Sequence, residues 1–315
     1  MRRGRNVDPM RPVTGEQHHL VHAGPSGELR ATVVQLAAAI RGLTLDGVDL
    51  VEPYGDDVVA PMGAGMVLVP WPNRIRGARY ELDGEAQALD VSEPSLGNAS
   101  HGLLRNTGYA ASDHADDRVT LSATVFPQHG YPFLLDTSVT YRLTDDGLVV
   151  THRIRNDSTA AAPVAVGAHP YLAIGGVPSS ELTLTVRADT WSEVDDALIP
   201  VADHPVDGAD EDLRQGRVVG ELDLNTGYGD VHVDGGTSRH GLTAPDGRGV
   251  ELWADASFGF LQVYTPREFP THGRQAVAIE PMTAPADAFN SGVGVRRLAP
   301  GEEWTLSWGI RATGF

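Results

Sequence analysis

Apolar and polar residues alternate with a period of two along much of this 315-residue chain. The clearest case flanks Asp145-Asp146-Gly147. Val139, Tyr141 and Leu143 lead in, and Leu148, Val150 and His152 lead out. Alternation on both sides of a turn former predicts a β-hairpin. The same grammar recurs at residues 29–36, at 42–48 around Asp46-Gly47, at 80–84 and at 119–125. It returns at 181–186, 249–254, 258–264, 275–280 and 304–311. A helical period is sustained nowhere; residues 36–40 are apolar but short. Many short strands without helices predict an all-β, mostly antiparallel sandwich or barrel. Residues 195–230, rich in Asp, Gly and Pro, read as one long loop within the domain. Residues 1–16 are polar and turn-rich and read as a disordered leader or an alternative start. Residues 17–315 read as a single domain, since no linker divides them.

Composition narrows the function. The 36 glycines and 21 prolines follow no period, so repeat architectures are excluded. Net charge is −18, from 24 Lys+Arg against 42 Asp+Glu. That field repels phosphate backbones and excludes nucleic acid as a partner. It also disfavours a strongly anionic substrate, although a local basic pocket could hold one. The absence of cysteine removes disulfides, thiol nucleophiles and thiolate metal sites. No segment reaches the ~20 apolar residues of a membrane span. No apolar run directly follows Arg2, Arg3, Arg5 and Arg11, so a cytoplasmic protein is expected.

Four segments carry candidate chemistry. Asn73-Arg74 lies in Trp71-Pro72-Asn73-Arg74-Ile75, where the Arg fork suits vicinal hydroxyls or a carboxylate; a surface Arg closing a turn is the plainer alternative. His101 precedes Gly102, which permits close approach of backbone or ligand; an ordinary loop histidine is the alternative. His169-Pro170 ends the apolar run 164–168, and Glu280-Pro281 ends the apolar run 276–279. A residue before proline is held extended, so each ionisable group continues its strand to the end. By period two, Glu280 shares a face with Ala276 and Ala278, opposite Val277 and Ile279. A carboxyl at the end of a buried strand is costly unless paired or hydrogen-bonded. If the two strands are neighbours, His169 and Glu280 face one pocket and suit opposite acid and base roles. A core histidine bonded to backbone and a structural Glu–Arg pair remain as alternatives. The histidines lack metal-ligand spacing such as His-Glu-x-x-His; the nearest grouping, His18, His19 and His22, reads as a solvated segment.

These segments, in this order, resemble the aldose 1-epimerase (galactose mutarotase) family, especially its bacterial branch with Glu-Pro-Met-Thr. The resemblance runs from about residue 29 to the C-terminus. It includes Pro72-Asn73-Arg74-Ile75, His101-Gly102, His169-Pro170-Tyr171-Leu172, Asp189-Thr190-Trp191, the stretch from Glu280 to Asn290, and Leu298-Ala299-Pro300-Gly301-Glu302. It implies a β-supersandwich and interconversion of α and β anomers of a free aldohexose, with no metal and no cofactor. By resemblance, Glu280 is the general base at the C1 hydroxyl and His169 the general acid at the ring oxygen. His101 polarises that oxygen, and Arg74, Asn73 and Asp230 bind the sugar, with Asp223 a nearby competitor to Asp230. The departures are Tyr109 near the position of a family Trp, Pro170-Tyr171-Leu172 after the histidine, and the unassigned His232 and His240. The expected partner is a small sugar, with no nucleic acid or membrane, and the protein a monomer or homodimer. Two alternatives stand: a hexose-6-phosphate 1-epimerase using Arg74, Arg76, Arg79 and Arg105, and a non-catalytic carbohydrate-binding sandwich.

Overall fold

The computed structural model describes residues 11–315, and its regular elements are almost all strands. The predicted hairpin forms with Val139 opposite His152 and Tyr141 opposite Val150. Every second residue of both arms is buried. Two other Asp-Gly turns close with paired left-handed residues, Asp46 at φ 48° with Gly47 at 81°, and Asp83 at 51° with Gly84 at 87°. That pairing matches the twist of the flanking strands.

Two large sheets dominate. One has nine strands in the order Ala110–Ala115, Arg118–Val125, Leu135–Thr144, Gly147–Asn156, Glu303–Thr313, Gly249–Asp255, Thr237–Thr243, Thr183–Thr185 and Arg217–Val218. The other runs Pro200–Pro205, Ala188–Val194, Asn225–Val231, Phe260–Tyr264, Val277–Met282, Gly167–Ala168 and Val67–Leu68, with Tyr171–Leu172 also paired to Val277–Met282. A four-stranded sheet begins at Gln17–Gly24. The two large sheets share one core, in which Leu261, Val263, Val277 and Ile279 meet Val150, Leu252, Leu306 and Trp308. Burying such side chains is worth roughly 1.5–3 kcal/mol each. Alternation then directs Ala276, Ala278 and Glu280, with Gln262 and Tyr264, to the opposite face. There Ala276, Ala278 and Tyr264 pack with Tyr171 and Phe269 in a smaller cluster. The site is built on this second face.

Three expectations need correction. Residues 1–10 of the expected leader lie outside the described residues, but residues 11–16 join the fold. The Val13 N–H donates to the Asp56 carbonyl (2.9 Å), the Leu36 N–H donates to Thr14 (3.0 Å), and Thr14 is buried. Backbone hydrogen bonds order this segment, and they leave no side-chain pattern. Residues 195–230 are not one loop. They contain the strands Pro200–Pro205 and Arg217–Val218 and most of Asn225–Val231, the first an exposed edge strand with little apolar content to betray it. Finally, neither His169 nor Glu280 ends its strand for good. Val277–Met282 continues past Glu280, and pairing resumes at Tyr171–Leu172 after His169. Among the described residues no helix is long and apolar enough to cross a membrane.

Candidate active site

Gly167 lies opposite Met282, and Tyr171 opposite Ala278. Between these pairs stand Pro170 and Pro281, neither of which has an N–H to give to a ladder. The chain bows out there, and the His169 N–H donates to Met66 (3.1 Å) while its carbonyl accepts from Gly65 (2.8 Å). The two prolines thus open the sheet where the ionisable residues meet. His169 Nε2 lies 3.4 Å from Glu280 Oε1, with both residues buried. The His169 ring stacks on Tyr171 at 5.2 Å.

A second wall comes from Arg74–Ile75 paired with Ala99–Ser100. The His101 N–H donates to the Asn73 carbonyl (2.8 Å). Asn73 (φ 54°) and His101 (φ 63°) both hold the left-handed backbone, a strain that surrounding structure must impose. It places the His101 ring 5.4 Å from that of His169. Glu93 clamps Arg74 at Nε (2.8 Å) and Nη2 (2.9 Å). Asn73 Nδ2 donates to Gln262 Oε1 (3.0 Å), and Gln262 lies opposite Glu280 on the next strand. Gln262 Nε2 donates to Asn225 Oδ1 (2.8 Å). Asn73, Arg74, Asn225 and Gln262 line one small cavity, which Gln262 joins to the position of Glu280 opposite it, while Glu280 and the two histidines are not in its lining. Arg105 donates to the Ser100 carbonyl (3.2 Å).

The structure therefore gathers Glu280, His169, His101, Asn73 and Arg74, and leaves Asp230 outside. Asp230 is exposed at φ 47°, past the Gly229–Thr190 pair, at the far end of the strand that begins with Asn225. Asp223, its competitor, is also exposed, 4.0 Å from Arg267. From this segment only Asn225 joins the site's hydrogen-bonded side chains. Sequence reading missed Asn225, Gln262, Glu93 and Tyr171. The available signal was Gln262, a polar residue in register with Glu280 in a strand whose flanking positions are core.

Burial drives the electrostatics. It pushes the Glu280 carboxyl up to about 8, opposed by the positive charge of Arg74. It pulls His169 down to about 4, with Arg105 and Arg74 adding to the fall. His101 is held well below the usual imidazole range, by burial first and then by His169, Arg105 and Arg74. Between about pH 4 and about pH 8 the Glu280–His169 pair therefore carries a single proton, which in the free site rests on Glu280. Glu280 Oε2, His169 Nδ1, His101 Nδ1, Arg105 Nε and the Tyr171 hydroxyl are buried with no partner in the protein. So many unsatisfied groups in one place are costly, and they mark a place where polar ligand atoms are received.

The other singled-out residues serve the fold. Asp287 accepts from the Arg76 N–H (2.8 Å), and its own N–H donates to the Arg74 carbonyl (2.6 Å). Phe289 packs on Trp71 and Tyr80. The segment after Glu280 thus fixes the Arg74 wall. His232 pairs with Asp189 (2.8 Å), and His240 Nδ1 accepts from the Arg187 N–H (3.1 Å). Of the N-terminal histidines, His18 is buried, His19 meets Thr32 and His22 meets Asp145. Among the described residues no group of three potential ligands is placed to hold a metal ion.

Comparison with known proteins gives this geometry a context. A family model described as Aldose 1-epimerase matches residues 20–311. An uncharacterized protein, YihR, of Escherichia coli K12 is 32% identical over 90% of this chain and 91% of its own length. Human galactose mutarotase is 29% identical over 54% of this chain and 49% of its own length. Among solved structures, a GalM/aldose epimerase homologue from C. elegans superposes with a TM-score of 0.81 at 22% identity, covering 95% of this chain and 99% of the other. A putative aldose 1-epimerase from E. coli K12 gives 0.80 at 20% identity, covering 95% and 99%. These likenesses establish a shared galactose-mutarotase-like β-sandwich fold, in accord with the fold expected from the resemblance.

Proposed function

The chain belongs to the aldose 1-epimerase family, and from that premise we propose that it interconverts the α and β anomers of a free aldohexose by acid–base ring opening. The observation that carries this reading is the buried His169–Glu280 pair at 3.4 Å. Anomer exchange moves one proton from the C1 hydroxyl and delivers one to the ring oxygen. A pair that holds one proton across neutral pH does both without help from solvent. Glu280 takes the C1 hydroxyl proton as electrons from that oxygen form the aldehyde and the C1–O5 bond breaks. His169 gives its proton to O5. Rotation about C1–C2 and reclosure with the roles reversed yield the other anomer.

In the free site the proton rests on Glu280, so these roles require its transfer to His169. Hydroxyl donors arriving at the unpartnered Glu280 Oε2 stabilise the carboxylate and favour that transfer. His101 stands beside His169 to meet the ring oxygen, and Arg74, steadied by Glu93, retains free N–H groups for hydroxyls. No covalent imine route competes, because the chain contains no lysine. General acid–base assistance is worth roughly 10²–10⁴-fold. A binding module would gain nothing from burying an unsatisfied acid beside an unsatisfied base.

One experiment tests the reaction: one-dimensional exchange NMR or polarimetry on fresh α-glucose and α-galactose. The protein is expected to accelerate equilibration of at least one. Tight binding with no acceleration would leave the non-catalytic alternative standing. Glucose 6-phosphate is expected to be the poorer substrate. Arg74 shares its charge with Glu93 and Arg76 with Asp195, and Arg79 is exposed. Among the described residues, Arg105 alone of the four arginines therefore brings an unshared charge to the site, and the net charge of −18 repels a dianion. Faster exchange of the phosphorylated sugar would reverse that ordering.

A second prediction concerns pH. Exchange depends on the singly protonated pair. The rate is therefore expected to hold between about pH 4 and about pH 8, falling below as the pair gains a second proton and above as it loses its only one. A profile rising steadily through pH 8 would show that one free carboxylate suffices.

A further inference from the structure

We infer that Asn225 is a specificity-determining residue that donates a hydrogen bond from Nδ2 to a hydroxyl oxygen of the bound sugar, because a one-way chain of amides fixes which of its atoms faces the pocket. The inference rests on the proposed reaction. The chain starts at Arg74, whose guanidinium can only donate. Its Nη1 reaches Asn73 Oδ1 at 3.3 Å. The acceptor end of Asn73 is thereby assigned, and its Nδ2 donates to Gln262 Oε1 at 3.0 Å. Gln262 in turn donates from Nε2 to Asn225 Oδ1 at 2.8 Å. An amide's two ends are nearly alike in shape, but here the charge at the start orients all three. Each carbonyl is used inside the chain, so the Asn225 Nδ2 hydrogens stay uncommitted.

Position supports the same role. Gln262 lies opposite Glu280, and Asn225 opposite Tyr264 on the strand beyond. Asn225 is therefore two strands across and two residues along from Glu280, on the side away from His169, at roughly 12 Å for a strand spacing of ~4.8 Å and a rise of ~3.4 Å per residue. One sugar ring bridges that distance when Glu280 holds its anomeric end. Gly227, the next residue on the same face, contributes no side chain, and its missing Cβ would sit 3.5 Å from Gln262 Oε1 and 3.6 Å from Ser192 Oγ. An aspartate at position 225 would accept from Gln262 equally well but could not donate. The choice of Asn over Asp therefore decides whether the sugar oxygen here is met by a donor.

The test has two arms. In the first, ¹⁵N spectra of Asn- and Gln-labelled protein report side-chain amide exchange. One Asn73 and one Gln262 proton are expected to be protected, and both Asn225 protons free. Protected Asn225 protons with free Asn73 protons would mean that the chain runs the other way, and would overturn the inference. In the second, kinetics are measured on the parent sugar and its 2-, 3-, 4- and 6-deoxy analogues. Asn225→Asp is expected to raise KM at least tenfold with kcat within threefold of wild type. At one ring position, deoxygenation is expected to cost wild type at least tenfold in kcat/KM and to cost Asn225→Ala nothing further. Wild-type KM in Asn225→Asp, or equal deoxygenation costs in both proteins at every position, would also overturn it. If the wild type accelerates exchange of no sugar, the reaction assignment fails on its own, and the amide-exchange arm still decides the polarity.

Discussion

Glu280→Gln is expected to lower the rate of anomer exchange by 10²–10⁴-fold or more and, in the same protein, to raise thermal stability. Glutamine copies the shape and donor–acceptor pattern of a protonated carboxyl, the form that burial favours here. Packing in the free site should therefore be preserved while the base is lost. The stability gain has a pH signature. Folding lifts the Glu280 pKa from 4.5 to about 8. The folded state thus keeps a proton that the unfolded chain releases above pH 4.5, and stability falls as pH rises from about 4.5 to about 8. Full loss corresponds to a few kcal/mol, at about 1.4 kcal/mol per pKa unit. Glutamine does not titrate, so the Tm advantage of the variant should be small near pH 4.5 and largest near pH 8. His169 has the opposite sign. Its folded pKa is lowered to about 4, so its contribution is lost as pH falls from 6.5 toward 4, in both proteins alike. A Tm advantage that shrinks toward pH 8 would refute the raised carboxyl, and undiminished exchange would remove Glu280 from the mechanism.

The same residue shows what a linear sequence reveals. Glu280 and His169 were legible because each interrupts an apolar run just before a proline, and alternation alone placed Glu280 with Ala276 and Ala278. Their proximity was a conditional, dependent on two strands being neighbours. The pairing of Tyr171 with Ala278 meets that condition. Asp230 was misplaced for a physical reason. Within a polar segment, the residue that faces a pocket is chosen by strand register, and register is set by the partner strand. Asn225 lies opposite Tyr264, and Asp230, between the paired Gly229 and Val231 at the other end of that strand, faces solvent. Gln262 was missed because alternation reads a polar residue in a strand as facing water, whereas here its face is covered by the Arg74 wall. Hydrophobic patterning sees one core, and the site is built where a second layer covers the other side of the sheet.

The glycine after His101 supplies the second large effect. Gly102 sits at φ 73°, and a Cβ there would lie 2.1 Å from the Val69 carbonyl oxygen and 2.4 Å from its carbon. That oxygen also accepts from the N–H groups of Leu103 (2.9 Å) and Leu104 (3.3 Å), so it cannot move away without releasing two buried bonds. Gly102→Ala is expected to cost about 1–2 kcal/mol for the left-handed backbone and about 1–3 more for forcing these segments apart. The displaced His101 ring should lower kcat as well, by up to ~10²-fold for a shift near 1 Å. Gly292→Ala isolates the first term. Gly292 has a similar φ of 76° and nothing within 4 Å of its missing Cβ, so it should lose only the backbone part and keep full activity. Thermal melts and exchange rates of the two variants, side by side, decide the matter. Equal costs would mean that the close approach to Val69 is not what requires glycine beside the histidine. A larger cost confined to Gly102, with loss of rate, would tie the position of His101 to the contact between these two backbones.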